Sequence, residues 1–238
     1  MLTHSPEALF FRARRPGPEL RLEDAVLARA ASLVPAESCV WLGASLPVGM
    51  TRPDLTVVAY EPMVGAMSHL TALQREVLTY LRAVPRARVD TIALRLRRKA
   101  AEITTALSDL LELGLLTRNG GCLSAVRLRC LPLREVVTVE VKVDKWRVAI
   151  QQAARNSIVA TRSYVALPEH VALRVRSEPT FAQLGIGIIA VAQDDDVIVV
   201  RRARRSEPTV WRYYYDLAAS VGESVEGDWS SVIPCADR

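Results

Sequence analysis

Apolar residues follow two periodicities along this chain, and the switches between them mark three stretches. From Leu20, the positions Leu22, Ala25, Val26, Ala30, Leu33 and Val34 recur at helical spacing as far as Pro35. They predict an amphipathic helix carrying Glu19, Glu23 and Asp24 near its start; the residues before Pro18 read as an irregular arm. Residues 39–42 and 53–60 read as strands on either side of a turn over 47–52.

The helical period then takes over. It predicts helices over 70–81, 91–96 with Asp90 as N-cap, and 100–113 closed by Gly114, followed by a hairpin around Asn119-Gly120-Gly121. Strand character returns at Val136. A strand over 136–143 leads into a helix over 145–161, with Trp146, Ala149, Ile150, Ala153, Ala154 and Ile158 inward and Arg147, Gln151, Arg155 and Asn156 outward. A strand over 164–167, one helical turn over 180–184, a strand pair over 186–192 and 197–200, and a helix over 210–219 complete the pattern. From Gly222 the chain reads as a mobile tail.

Within strand 136–143 the run V-V-T-V-E-V-K-V is interrupted by two ionic side chains. Strand alternation sets Thr138, Glu140 and Lys142 on one face and Val137, Val139, Val141 and Val143 on the other. A carboxylate and an ammonium therefore stand side by side, either as a solvent-facing ion pair or as a site.

Composition sharpens the choice. Of the 31 Lys and Arg residues only Lys99, Lys142 and Lys145 are lysines, so a chain otherwise committed to Arg has kept a compact, tunable ammonium beside Glu140. The 238 residues, 50% hydrophobic and 24% charged, suffice for one large domain or two small ones with real cores. Four cysteines without a C-x-x-C pair and three scattered histidines give no support to a zinc site. Arg12, Arg14 and Arg15 are not followed by an apolar run of signal-peptide type, and the most apolar stretch, 184–192, is shorter than the roughly 20 residues that span a bilayer. A soluble cytoplasmic protein with no membrane partner is expected.

Three helices followed by a hairpin, with E-I-T-T-A-L-S-D-L-L-E-L-G-L-L running from the third helix into the first hairpin strand, resemble a winged helix-turn-helix domain. Arg97, Arg98 and Lys99 stand where such domains usually carry small turn residues. Twelve basic residues against five acidic ones between 69 and 134 leave the remainder of the chain slightly acidic. A basic face of this kind suits phosphate neutralisation, and the resemblance implies duplex DNA contacts from Arg97, Arg98, Lys99, Thr104, Thr105, Arg118 and Arg127.

If that module, 67–130, is an insertion, the flanking parts 1–66 and 131–221 join as helix, strand, strand with Asp54, strand with Glu140 and Lys142, helix, strand, leaving 222–238 as the tail. With Pro53-Asp54 and Glu140-Val141-Lys142, this order resembles the PD-(D/E)XK nuclease superfamily. The resemblance implies a mixed α/β fold, a restriction endonuclease-like sheet flanked by helices and interrupted by the winged helix. It also implies that Asp54, Glu140 and the Val141 carbonyl hold Mg²⁺, with Mn²⁺ as substitute, and that Lys142 assists phosphodiester hydrolysis. Glu23 and Gln152 match positions that carry supporting polar groups in some relatives. The expected function is a metal-dependent DNA endonuclease. The alternative is a DNA-binding regulator or a defence or repair scaffold with an inactive nuclease-like half, which offers a surface for a homodimer.

Overall fold

Seven strands form one mixed sheet in the order β1-β2-β3-β6-β7-β8-β9. They are Ala8–Phe10 (β1), Cys39–Ala44 (β2), Leu55–Tyr60 (β3), Leu133–Val141 (β6), Arg162–Pro168 (β7), Gly187–Val191 (β8) and Val197–Arg201 (β9), while Leu116–Asn119 (β4) and Cys122–Ala125 (β5) make a separate hairpin. The structure is a computed structural model, and it describes residues 8–13, 16–36, 38–126 and 131–225. The chain divides into two compact units, residues 1–60 with 135–210 and residues 61–134 with 211–238.

In the sheet unit, β2 and β3 are antiparallel, β6, β7 and β8 run parallel, and β9 returns antiparallel to β8. Strand β6 is the sheet's middle member, and its valines explain why: β-branched side chains suit a strand covered on both faces. Val137, Val139 and Val141 pack with Leu22, Ala25 and Val26 of helix α1 (Pro18–Arg29). The opposite face, through Val165, Leu167, Ile188 and Ala190, packs against helices α5 (Trp146–Asn156), α6 (Glu169–Val175) and α7 (Pro179–Leu184). At Gly187 a Cβ would stand 2.3 Å from the Tyr164 ring and 2.7 Å from the Ala203 nitrogen, so this glycine is a packing requirement.

The other unit contains helices α2 (Ala72–Ala83), α3 (Val89–Leu96) and α4 (Ala100–Glu112), then the β4–β5 hairpin and the last helix, α8 (Trp211–Ser224). Thr71 and Gln74 form a reciprocal capping box at the start of α2. Three helix ends share a cap in which an N–H reaches back five residues from just beyond a left-handed residue: Arg98 to Ala93, Leu115 to Leu110 and Ile186 to Phe181. Two of the left-handed residues are Gly114 and Gly185; the third is Arg97, at φ 54°. The turn between α3 and α4 therefore has the geometry of a glycine turn with an arginine in it.

Several expectations are corrected. The supposed irregular arm contains β1, whose three residues pair in parallel with Leu42–Ala44. Helix α3 starts at Val89 with Arg88 as N-cap, and Asp90 lies in its first turn, where a carboxylate complements the helix dipole. The segment 169–175 is helical. Helix α8 groups with α2 and the 3₁₀ turn Pro62–Met67 rather than with the sheet, and it runs through Gly222 to Ser224, past the point where a tail was expected. Its Tyr214 hydroxyl serves both the N–H and the carbonyl of Leu133, and Tyr215 accepts from Arg82 Nε at 3.2 Å. The rest of the expected tail, 226–238, lies outside the described residues. Among the described residues no helix is long and apolar enough to cross a membrane.

Candidate active site

The expected site residues Asp54, Glu140, Val141 and Lys142 meet where β3 begins and β6 ends. Asp54 lies one residue before β3, and its carbonyl accepts from the Ser45 N–H at 2.9 Å, closing the loop between β2 and β3. Its carboxylate Oδ2 accepts from the Val141 N–H at 2.8 Å and lies 3.4 Å from Lys142 Nζ. Lys142 Nζ also donates to the Val141 carbonyl at 2.7 Å. Glu140 and Lys142 were expected side by side; the carboxylate within hydrogen-bond distance of Lys142 Nζ is instead that of Asp54.

Glu140 points into the face covered by α5 and is 2% exposed. It accepts from Asn156 Nδ2 at 2.7 Å. Its pKa is raised from 4.5 to about 8: burial is the main cause, the negative charge of Asp54 and a hydrogen bond to the Asp54 carboxyl add to it, and the Asn156 hydrogen bond and the Lys142 charge partly oppose it. Two carboxyl groups close enough to hydrogen-bond, one of them buried, hold a proton between them at neutral pH. A surface ion pair, the plain alternative for Glu140 and Lys142, does not describe this arrangement.

Asn156 corrects the helix reading. It was expected on the outward face of α5, yet it is 2% exposed. Its spacing carried the signal: Ala149, Ala153 and Asn156 follow i, i+4, i+7 on the buried stripe. Gln152, one helical turn earlier on the same face as Asn156, has a buried Oε1 without a hydrogen-bond partner.

On α1, Glu23 is half-buried, while Glu19, one turn earlier, places Oε1 3.7 Å from Lys142 Nζ. Sequence reasoning had named Glu23 and passed over Glu19, although the two lie four residues apart on one helix face. In the other unit, Arg97, Arg98, Lys99, Thr104, Thr105 and Arg118 are all exposed. Arg98 lies 3.6 Å from Glu76, and both threonine hydroxyls donate within α4. Arg127 lies outside the described residues.

The Asp54 and Glu140 carboxyls and the Val141 carbonyl are oxygen donors, the ligand type that hard cations take. Among the described residues no group of three or more His, Cys, Asp or Glu side chains is placed to hold a metal ion. No family model, curated protein or solved structure matches the chain.

Proposed function

We propose that this protein is a metal-dependent DNA endonuclease of the PD-(D/E)XK kind, with Asp54, Glu140 and Lys142 at its active site and a winged helix-turn-helix that binds duplex DNA. The observation that carries this reading is the convergence of the Asp54 and Glu140 carboxyls, from adjacent strands, beside Lys142 Nζ. The order α1, β2, β3, β6, α5, β7, with Asp54 just before β3, Glu140 on β6 and Lys142 just after it, supports it. So does the unpartnered Gln152 Oε1 on the face that also carries Asn156.

Asp54, Glu140 and the Val141 carbonyl would hold Mg²⁺, which when bound supplies Lewis acidity to the phosphate and lowers the pKa of the attacking water. Glu140 must first lose its proton. Asn156 keeps the carboxylate in place as it does so, because its Nδ2–H bond is stronger to an ionised acceptor. Lys142, already 3.4 Å from Asp54, brings a positive charge to the oxygens on which negative charge develops as the phosphodiester is attacked. Glu19, near the same ammonium, helps to keep it oriented.

Incubating the pure protein with supercoiled plasmid and Mg²⁺ or Mn²⁺ tests the reading. Nicking or linearisation that disappears in Glu140→Ala and Lys142→Ala is the expected result; cleavage unchanged in both variants refutes it. Duplex binding without cleavage or metal dependence would instead favour a regulator or scaffold with an inactive nuclease-like half.

A further inference from the structure

On the surface of the helical unit the positive charge lies beside helix α4 rather than on it. Helix α4 exposes Ala100, Ala101, Glu102, Thr104, Thr105 and Ser108. Thr104 donates its hydroxyl proton to the Ala100 carbonyl at 2.9 Å and Thr105 to that of Ala101 at 3.2 Å. The helix contains no Arg, Lys, Asn or Gln, the side chains that make two-pronged hydrogen bonds to guanine or adenine edges. Its exposed Glu102, Thr104 and Thr105 make at most single contacts to base edges, with both threonine hydroxyls donated within the helix, and Glu102 is the wrong charge for phosphate.

The cations sit beside the helix instead. Arg95, Arg97, Lys99 and Arg118 are exposed, and among the described residues none of them has a carboxylate partner. Arg97 and Lys99 occupy the turn that enters α4, where the left-handed backbone of Arg97 fixes the direction of the chain. Arg118 lies on β4, at the start of the hairpin.

We propose that this surface grips the sugar-phosphate backbone and does not read bases, so that the protein holds duplex DNA irrespective of its sequence. The inference rests on the DNA-binding reading above and specifies its substrate. Phosphate contacts position a protein without carrying sequence information, and each two-pronged base contact that α4 lacks is one that would have contributed roughly five- to hundredfold discrimination. Small exposed side chains allow the helix to approach a groove closely while leaving the flanking cations to bind. Four such cations correspond to a slope of log K against log salt of about −3.6, or about a hundredfold loss of affinity between 50 and 200 mM salt.

The test uses the full chain in EDTA, so that no cleavage occurs. Anisotropy titrations of labelled 20-base-pair duplexes, AT-rich, GC-rich and mixed, are run alongside selection from a randomised duplex pool. Affinities within about threefold of one another, the steep salt slope and no enriched motif are expected. Arg97→Gly, which suits the left-handed turn, and Lys99→Ala should each reduce the slope by about one for every duplex. An enriched motif with a tenfold or larger preference overturns this proposal alone. A chain that binds no duplex at 50 mM salt overturns the DNA-binding reading as well, whereas cleavage in Mg²⁺ judges the metal site separately.

Discussion

Replacing Glu140 by Gln should make the metal-free protein more stable at alkaline pH. The folded-state pKa of Glu140 is about 8 against an ordinary value of 4.5. Between those values the folded state holds a proton that the unfolded chain has released, so stability falls as pH rises from about 4.5 through about 8. The full displacement corresponds to about 5 kcal/mol at 1.36 kcal/mol per pH unit, of which about 3 kcal/mol falls between pH 5.5 and pH 9. That is a large part of the 5–15 kcal/mol by which domains are usually stable. A glutamine keeps the acceptor for Asn156 Nδ2 and offers an N–H to Asp54 in place of the shared proton, and it does not titrate. Urea unfolding followed by circular dichroism, in EDTA at the two pH values, measures the difference. Glu135→Gln is the control: Glu135, 6% exposed on the same strand, pairs with Arg162, so its loss should destabilise at both pH values by about 1–3 kcal/mol. The reasoning fails if wild type and Glu140→Gln lose stability in parallel between pH 5.5 and 9, or if the wild type becomes the more stable of the two.

Lys142→Met should keep the fold and lower the cleavage rate by about a hundredfold or more, while Mg²⁺ affinity measured by calorimetry stays equal or improves because the Val141 carbonyl loses its ammonium partner; wild-type cleavage rates would contradict this. Asn156→Leu removes the hydrogen bond that lowers the Glu140 pKa, so the pH midpoint for Mg²⁺ binding should move upward, which a titration of affinity against pH detects. Arg97→Gly should stabilise the protein by about 1 kcal/mol in urea unfolding, because a side chain at φ 54° carries a left-handed penalty that glycine lacks.

Much of this architecture was legible wherever a periodic run was long. The strands at 55–60 and 133–141 and the helices around 72–83, 100–112 and 146–156 all announce themselves through β-branched runs or i, i+3, i+4 spacing. Short elements did not: β1 has three residues, and α6 begins directly after Pro168 with a sequence, E-H-V-A-L-R-V, that fits either period. The partner of α8 was illegible for another reason. An aromatic run such as W-R-Y-Y-Y signals burial without indicating against what, and here Tyr214 and Tyr215 find Leu133 and Arg82. At the site, Asp54, Glu140 and Lys142 were readable from residue type and strand position. Asn156 was readable from its place on the α5 stripe, had polarity not been taken to mean outward.

Strand β6 carries two buried glutamates five residues apart, and their company separates structure from chemistry. Glu135 faces a guanidinium, so its charge is neutralised where it is buried, as an ion pair inside a fold requires. Glu140 faces another carboxylate, and the groups that lower its pKa do not offset burial and repulsion. A valine or threonine at that position would continue the strand's own pattern and remove the conflict, and buried ionic groups are often replaced by apolar ones without loss of stability. Packing therefore gives no reason for the Glu140 and Asp54 carboxyls to lie together on an otherwise apolar framework of valines. Local conflicts of that kind in an otherwise consistent sheet are expected at functional sites. On the proposed reading a cation would take the place of the shared proton and screen the two carboxylates from each other.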